Sequence, residues 1–168
     1  MRPEFGESHI SPHLGLGYLS ASLKNAGHKV KVLDGLREKI EYDPKDWDLV
    51  GLTAMSIYFP ELCREVEKAK SYGLKTIIGG AHIICDPGQS LIDSGADYAA
   101  AGEGERTITQ LASGIHPSQV EGLYYLEKGK PKKSNPDLSE LFKQKVMYTT
   151  KIGNQSRDFL NNADDFGE

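Results

Sequence analysis

Only two cysteines, Cys63 and Cys85, occur in 168 residues, far apart and each without a neighbouring cysteine. They form neither a disulfide framework nor, by themselves, a zinc or iron–sulfur ligand set. Long apolar runs are missing too, and at a mean hydropathy of -0.46 no segment reads as a membrane span. Met1 to Ser8 is polar and acidic and holds no apolar stretch of the kind a secretory signal needs, so the expected compartment is the cytoplasm. A basic excess is also absent: 24 acidic against 20 basic residues give a net charge of -4, which argues against nucleic acid as a partner. There is no Walker lysine loop and no G-x-S-x-G nucleophile elbow. None of His9, His13, His28 and His116 has a partner four residues away on a helix, so they support no metal site.

What is present is the composition of one ordinary globular domain, 38% hydrophobic and 26% charged. Met1 to Pro12 reads as loop, with Pro3, Gly6, Ser8 and Ser11 and no aliphatic run. Leu14, Leu16, Leu19, Leu23 and Ala26 then recur at three- and four-residue intervals and Gly27 stops them, a helix of about three turns. Val30, Val32 and Leu33 predict a strand closed by Asp34-Gly35, and Leu36 to Trp47 a charged connector. Leu49 to Met55 is continuous and uncharged, the pattern of a strand covered on both faces. Pro60 opens a helix with Leu62, Val66, Ala69 and Tyr72 on one face and Gly73 at its end.

Next, the β-branched run Lys75 to Ile78 leads into Gly79-Gly80-Ala81-His82, and Asp86-Pro87 turns the chain into a short helix, Gln89 to Ser94. Tyr98 to Ala101 is a strand of small residues; Thr107, Ile108, Leu111 and Ala112 continue as a helix stopped by Ser113-Gly114. Strands alternating with amphipathic helices predict βαβ crossovers, hence an α/β domain over 1–114 with a parallel sheet and helices on both faces. From 115 to 142 the pattern becomes a β-hairpin, Gly122 to Leu126 with a Lys128-Gly129-Lys130 turn, followed by a linker. The tail, 143–168, is polar and expected to be poorly ordered.

Three loops are expected on one edge of the sheet: Thr53-Ala54-Met55-Ser56, Gly79-Gly80-Ala81-His82 and Gly102-Glu103-Gly104-Glu105. Ligands of open parallel sheets collect beyond the carboxyl ends of the strands. Small side chains there let a large planar or nucleotide-like ligand lie against main-chain amides, with Thr53 and Ser56 offering rotatable hydrogen bonds. Plainer readings stand beside these. Glycines after a strand are often only a turn, and Glu103 and Glu105 suit the solvated start of a helix as well as acid/base work. His82 suits a backbone-bonded loop histidine as well as a ligand contact. Gly15-Leu16-Gly17 lacks the third glycine and the preceding strand of a dinucleotide fingerprint and reads as helix packing. Cys63 reads as a buried inert thiol, and Cys85 as a residue open to the ligand side.

The ordered set Pro12-His13-Leu14-Gly15-Leu16-Gly17-Tyr18-Leu19, Val32-Leu33-Asp34, Gly51-Leu52-Thr53, Gly79-Gly80-Ala81-His82 and Asp97-Tyr98 with Gly102-Glu103-Gly104-Glu105 resembles one family. It is similar to the cobalamin (B12)-binding domain found N-terminal to many radical S-adenosylmethionine enzymes. The resemblance covers roughly Pro12 to Gly114, and more loosely Gly122 to Leu141, which is similar to the hairpin and linker that lead into the catalytic barrel. It implies a Rossmann-like (flavodoxin-like) three-layer sheet of four to five parallel strands, followed by a small hairpin, with cobalamin over the carboxyl ends. Cofactor contacts are implied for Pro12, His13, Leu14 and Gly15, for Thr53, Ala54, Met55 and Ser56, for Gly79, Gly80, Ala81 and His82, and for Gly102, Glu103, Gly104 and Glu105.

Two absences qualify the resemblance. The D-x-H-x-x-G motif is missing, so no protein histidine ligand to cobalt is expected, and without a C-x-x-x-C-x-x-C motif no iron–sulfur cluster or reductive cleavage of S-adenosylmethionine is expected of this chain alone. The implied role is a module that presents B12 to a radical enzyme supplied elsewhere, with oxidoreductase or methyltransferase chemistry only when joined to a catalytic domain; a second copy is another candidate partner. The alternative is a non-catalytic interaction or vestigial α/β domain. A small enzyme working through Glu103, Glu105 or His82 would need a nucleophile or metal site that is not found. The family also begins with an aliphatic strand that Met1 to Ile10 does not supply; in a 2-1-3-4-5 order that strand is central, and ladder edges beside it should be left exposed. The expectation is a truncated or stand-alone relative.

Overall fold

The computed structural model describes residues 14–35, 40–135, 150–152 and 155–157. The chain divides into two compact units, Met1–Pro136 and Asp137–Glu168. The first carries α1 (Leu14–Asn25), β1 (Leu49–Thr53), a 3-10 turn (Ser56–Tyr58), α2 (Phe59–Ser71), β2 (Lys75–Gly79), α3 (Ala81–Cys85), α4 (Pro87–Ser94), β3 (Tyr98–Ala100), α5 (Gly104–Ala112), β4 (Leu123–Glu127) and β5 (Lys130–Lys133). In the second, β6 (Thr150–Ile152) pairs antiparallel with β7 (Gln155–Arg157); the rest of the expected tail lies outside the described residues.

Three helices stop in the same way, at the glycines the sequence placed there. Gly27, Gly73 and Gly114 take φ of 89°, 78° and 81°. After each, two amides turn back in a Schellman pair: His28 and Gly27 onto Leu23 and Lys24, Leu74 and Gly73 onto Ala69 and Lys70, Ile115 and Gly114 onto Gln110 and Leu111. Helix α4 starts two residues before the expected Gln89. Asp86 is its N-cap, accepting from the Gln89 amide at 2.9 Å, and Pro87 fills the first turn. Helix α3 was expected as loop.

The sheet order is β1-β2-β3-β4-β5. Strands β1, β2 and β3 are parallel; β4 runs antiparallel to β3, and β5 to β4. The hairpin is therefore hydrogen-bonded to the parallel core and makes the sheet mixed, its two-residue turn at Lys128 and Gly129 having both φ positive. Two apolar layers cover the sheet. On one face Leu62 and Val66 of α2, Ile83 of α3 and Leu91 of α4 meet Ile78 and Ala99; on the other, Leu19 and Leu23 of α1 and Ile108 of α5 meet Ile77, Leu123 and Val120. Neighbouring residues of β2 thus serve opposite layers, as a pleated strand requires.

Two expected strands differ. Residues 30–33 join no ladder, and Val32 is 49% exposed, because no described strand stands beside them to pair with. Leu49 to Met55 ends as a strand at Thr53 and is half-exposed rather than covered. Among the described residues β1 has a partner on one side only; Met1 to Ile10, where the first strand was expected to be lacking, lies outside the described residues.

At the amino ends of the strands, Asp97 ties β2 to β3. Its carboxylate accepts from the Thr76 amide at 3.0 Å, the Thr76 hydroxyl at 2.9 Å and the Lys75 ammonium at 3.1 Å, while its own amide donates to Thr76 Oγ1 at 3.1 Å. Burial alone would raise the Asp97 carboxyl; the bonds from Lys75 and Thr76, with the charge of Lys70, outweigh burial and hold it below its ordinary 3.8. A depressed folded-state value means the stabilisation is present above the ordinary value and is lost as pH falls through the folded one. Asp97→Ala should cost about 1–3 kcal/mol at pH 7. In urea titrations at stepped pH, the gap to the parent chain should close below about pH 4; an unchanged gap down to strongly acidic pH would refute the assignment.

Candidate functional site: the carboxyl edge of the sheet

Because β1, β2 and β3 are parallel and in register, with Thr53 beside Gly79 and Ile78 beside Ala99, their carboxyl ends reach one edge together. Each hands over to a helix there. Met55 leads into the 3-10 turn at Ser56, Gly80 caps α3, and Glu103 caps α5 with no side-chain capping bond. Helix α1 lies along α5 in the same direction. Leu19 stands against Gly104, the Ser22 and Thr109 hydroxyls are 2.9 Å apart, and His28 Nε2 and Ser113 Oγ are 3.4 Å apart. The first turn of α1, with Leu14 and Gly15, is thereby carried to the same edge.

Of the sixteen positions expected to contact a ligand, the structure brings Leu14, Gly15, Thr53, Ala54, Met55, Ser56, Gly79, Gly80, Ala81, His82, Gly102, Glu103, Gly104 and Glu105 to this edge. Pro12 and His13 lie outside the described residues.

Two loops interlock. Gly80 has φ 101° and ψ -175°, a conformation essentially reserved for glycine. A Cβ there would run into Thr53 Oγ1 and press within 3.4 Å of the Ala54 carbonyl. Two residues on, His82 Nδ1 stands 3.0 Å from Ser56 Oγ. The imidazole also stacks on Phe59, with ring centroids 4.0 Å apart and planes inclined by 32°. Phe59 in turn packs against the core layer of α2, α3 and α4. Sequence reasoning singled out Ser56 and His82 but not Phe59, which has no motif of its own and lies in the first turn of a helix.

The surroundings suit binding more than bond-breaking. Met55, Ile57 and Ile84 are 59%, 68% and 56% exposed, apolar surface standing in water beside hydroxyls and an imidazole. At Gly102 (φ 112°) a Cβ would meet nothing within 4 Å, so the backbone there is open to approach. Burial, followed by the charge of Asp93, raises the Cys63 thiol, the opposite of an activated nucleophile. Cys85 is exposed and points its thiol at the Ala81 carbonyl, 3.6 Å away. Among the described residues no three His, Cys, Asp or Glu side chains stand together as a metal site would need.

A parallel core whose glycine-rich carboxyl edge faces outward defines a Rossmann-like ligand-binding domain. The B12 binding domain model matches residues 8–112, and the chain belongs to that family. An uncharacterized methyltransferase of Pyrococcus horikoshii is 30% identical over 142 residues, 74% of this chain and 30% of that protein. Bacteriochlorophyllide d C-8(2)-methyltransferase of Chlorobaculum tepidum is 27% identical over 113 residues, 67% of this chain and 24% of that one. Among solved structures, the radical S-adenosylmethionine methyltransferase TsrM of Kitasatospora setae, with cobalamin and an iron–sulfur cluster bound, shares the fold at a TM-score of 0.64 and 19% identity, over 78% of this chain and 29% of that one. The chain thus spans under a third of the length of each of these proteins. No helix among the described residues is long and apolar enough to cross a membrane.

Gly80 and Gly114 offer a matched test of the interlock. Both have positive φ, but a Cβ at Gly114 meets open space. Gly114→Ala should cost about 1–2 kcal/mol, the price of the left-handed backbone. Gly80→Ala should cost more, about 3 kcal/mol or above, since strain and collision add. Equal losses in chemical denaturation would mean that the loops are not locked at this point.

Proposed function

We propose that the chain binds cobalamin on the carboxyl edge of β1, β2 and β3 and holds it for a radical S-adenosylmethionine-type catalytic domain. The observation that carries this is the carboxyl edge itself: backbone open to approach at Gly102, exposed apolar side chains at Met55 and Ile57, and hydroxyl and imidazole groups at Thr53, Ser56 and His82. These residues fit a corrinoid. Its broad faces need apolar cover without bulky side chains in the way, and its rim of amides needs small hydrogen-bonding groups. Membership of the B12-binding family and the fold shared with a cobalamin-bound methyltransferase support the same reading.

When bound, cobalamin supplies a cobalt centre able to carry a methyl group or an electron. The part of this chain's residues is to bind, orient and partly desolvate it. Bound there, the macrocycle would lie close to the backbone at Gly102 with Met55 and Ile57 as its apolar cover, while Thr53, held against Gly80, and Ser56, held against His82, keep the two loops in place. The catalytic domain is the partner we assign, in the same polypeptide or another, because the two curated relatives that are methyltransferases are each more than three times as long as the part this chain spans.

Titrating the 168-residue chain with hydroxocobalamin, while following the visible spectrum and the melting temperature, tests the proposal. A saturable spectral change with a raised melt is expected. It should be abolished in Gly79→Val/Gly80→Val and weakened about tenfold in Met55→Asp, whose side chain is exposed and carries no folding role. A cooperatively folded chain whose spectrum and melt ignore hydroxocobalamin would refute cofactor binding and leave an α/β interaction domain.

A further inference from the structure

Resting on that reading, we infer that Thr107 and Gly122 are positioning residues for the cofactor, and that the stretch from Val120 to Leu123, beyond residues 8–112 of the family match, belongs to the binding site. Of the loops at the carboxyl edge, the one after β3 offers open backbone at Gly102, and both neighbours of that glycine are held from outside the loop. On one side the Ala101 amide donates to the Gly122 carbonyl at 2.8 Å. On the other, Thr107 Oγ1 stands 3.3 Å from the Glu103 carbonyl and 2.7 Å from the Glu121 carbonyl. A helical threonine commonly bonds the carbonyl four residues back. The shorter bond to Glu121 is what makes this one a bridge between the loop and the segment that leads into β4.

The clamp holds because its own support is buried. Val120 and Leu123 are both 0% exposed and lie in the layer formed with Ile77 and Ile108. Between them the Glu121 amide donates to Gln110 Oε1 at 2.9 Å, and Gly122 takes φ 69°. A Cβ at Gly122 would come within 2.8 Å of the Ala101 carbonyl and 3.3 Å of Thr107 Oγ1, so only glycine lets this segment approach the loop so closely. Thr107 is 2% exposed, and a hydroxyl so enclosed commits its proton to a carbonyl rather than to water. What a corrinoid needs at Gly102 is bare main chain already in place before it arrives, since a loop that must be ordered on binding costs affinity. Two residues that never touch the ligand supply that order.

Hydroxocobalamin titrations of the chain and its variants test this, each at a temperature where circular dichroism shows full folding. Thr107→Val keeps the side chain's volume and removes the hydroxyl; affinity should fall about 3- to 10-fold, and Thr107→Ser should restore most of it. Gly122→Ala should weaken binding at least as much. Gly114→Ala has the same left-handed strain but meets open space at the far end of α5, and should lower stability while leaving affinity as it is. In the cofactor-free chain, the amide resonance of Gly102 should shift in Thr107→Val and Gly122→Ala and keep its place in Thr107→Ser and Gly114→Ala.

Because Thr107→Val preserves shape, it decides the matter where Gly122→Ala does not fold. Unchanged affinity in Thr107→Val, a loss that Thr107→Ser does not restore, or an equal loss in Gly114→Ala would reduce Thr107 and Gly122 to packing residues. Each of these overturns the inference and leaves cofactor binding intact. A folded parent chain that ignores hydroxocobalamin would instead overturn the cofactor reading, and the positioning role with it, even where the Gly102 resonance still moves.

Discussion

Strand β2 has almost no solvent-facing side, and the rest of the domain follows from that enclosure. Thr76, Ile77 and Ile78 are 0%, 3% and 0% exposed, and β1 and β3 take up the hydrogen bonds on either side. Such a strand must send alternate side chains into two separate apolar layers, which fixes where α2, α3 and α4 gather and where α1 and α5 gather. It must also be polar only where a partner waits, and the buried Thr76 meets this through Asp97. At its other end the strand runs out of side chains altogether, in Gly79 and Gly80. The enclosure that builds the core therefore ends abruptly, at a place where backbone rather than side chain faces outward.

That abrupt end explains why the strand ends and helix stops were more legible than the pairing of the sheet. Glycines at strand ends and helix stops act locally, through φ and through missing Cβ atoms, so Gly27, Gly73, Gly79, Gly80 and Gly114 could be placed by inspection. Asp86-Pro87 reads only as a turn, and the structure makes the pair the N-cap and first turn of α4. Pairing between strands is not local. Val30, Val32 and Leu33 have all the side-chain character of a strand and form none, because a ladder needs a neighbour and propensity cannot supply one. The continuous apolar run of β1 misleads for the same reason: it describes what the side chains prefer, not whether a layer lies over them. The joining of β4 to β3, which turns a parallel sheet into a mixed one, likewise depends on a contact between residues more than twenty positions apart.

The two ends of the sheet are built on opposite principles. Strand β5 reads Lys130-Pro131-Lys132-Lys133, every residue exposed, and charge and proline together make it a poor template for another strand. Strand β1 carries no charge and no proline, and its middle residue, Gly51, has no side chain to stand in the way. The sequence of β5 therefore guards its own edge by charge and proline, and that of β1 carries no such guard. The loop Thr53 to Ser56 grows from β1, which is partly exposed, while its partner loop grows from β2, the most enclosed strand. The contacts of Gly80 with Thr53 and of His82 with Ser56 and Phe59 lash the less secure loop to the more secure one. Loops grown from two strands of such different support hold a common shape when they are tied to each other, and here the tie is made by three side chains, Thr53, Ser56 and His82, with Phe59 beneath.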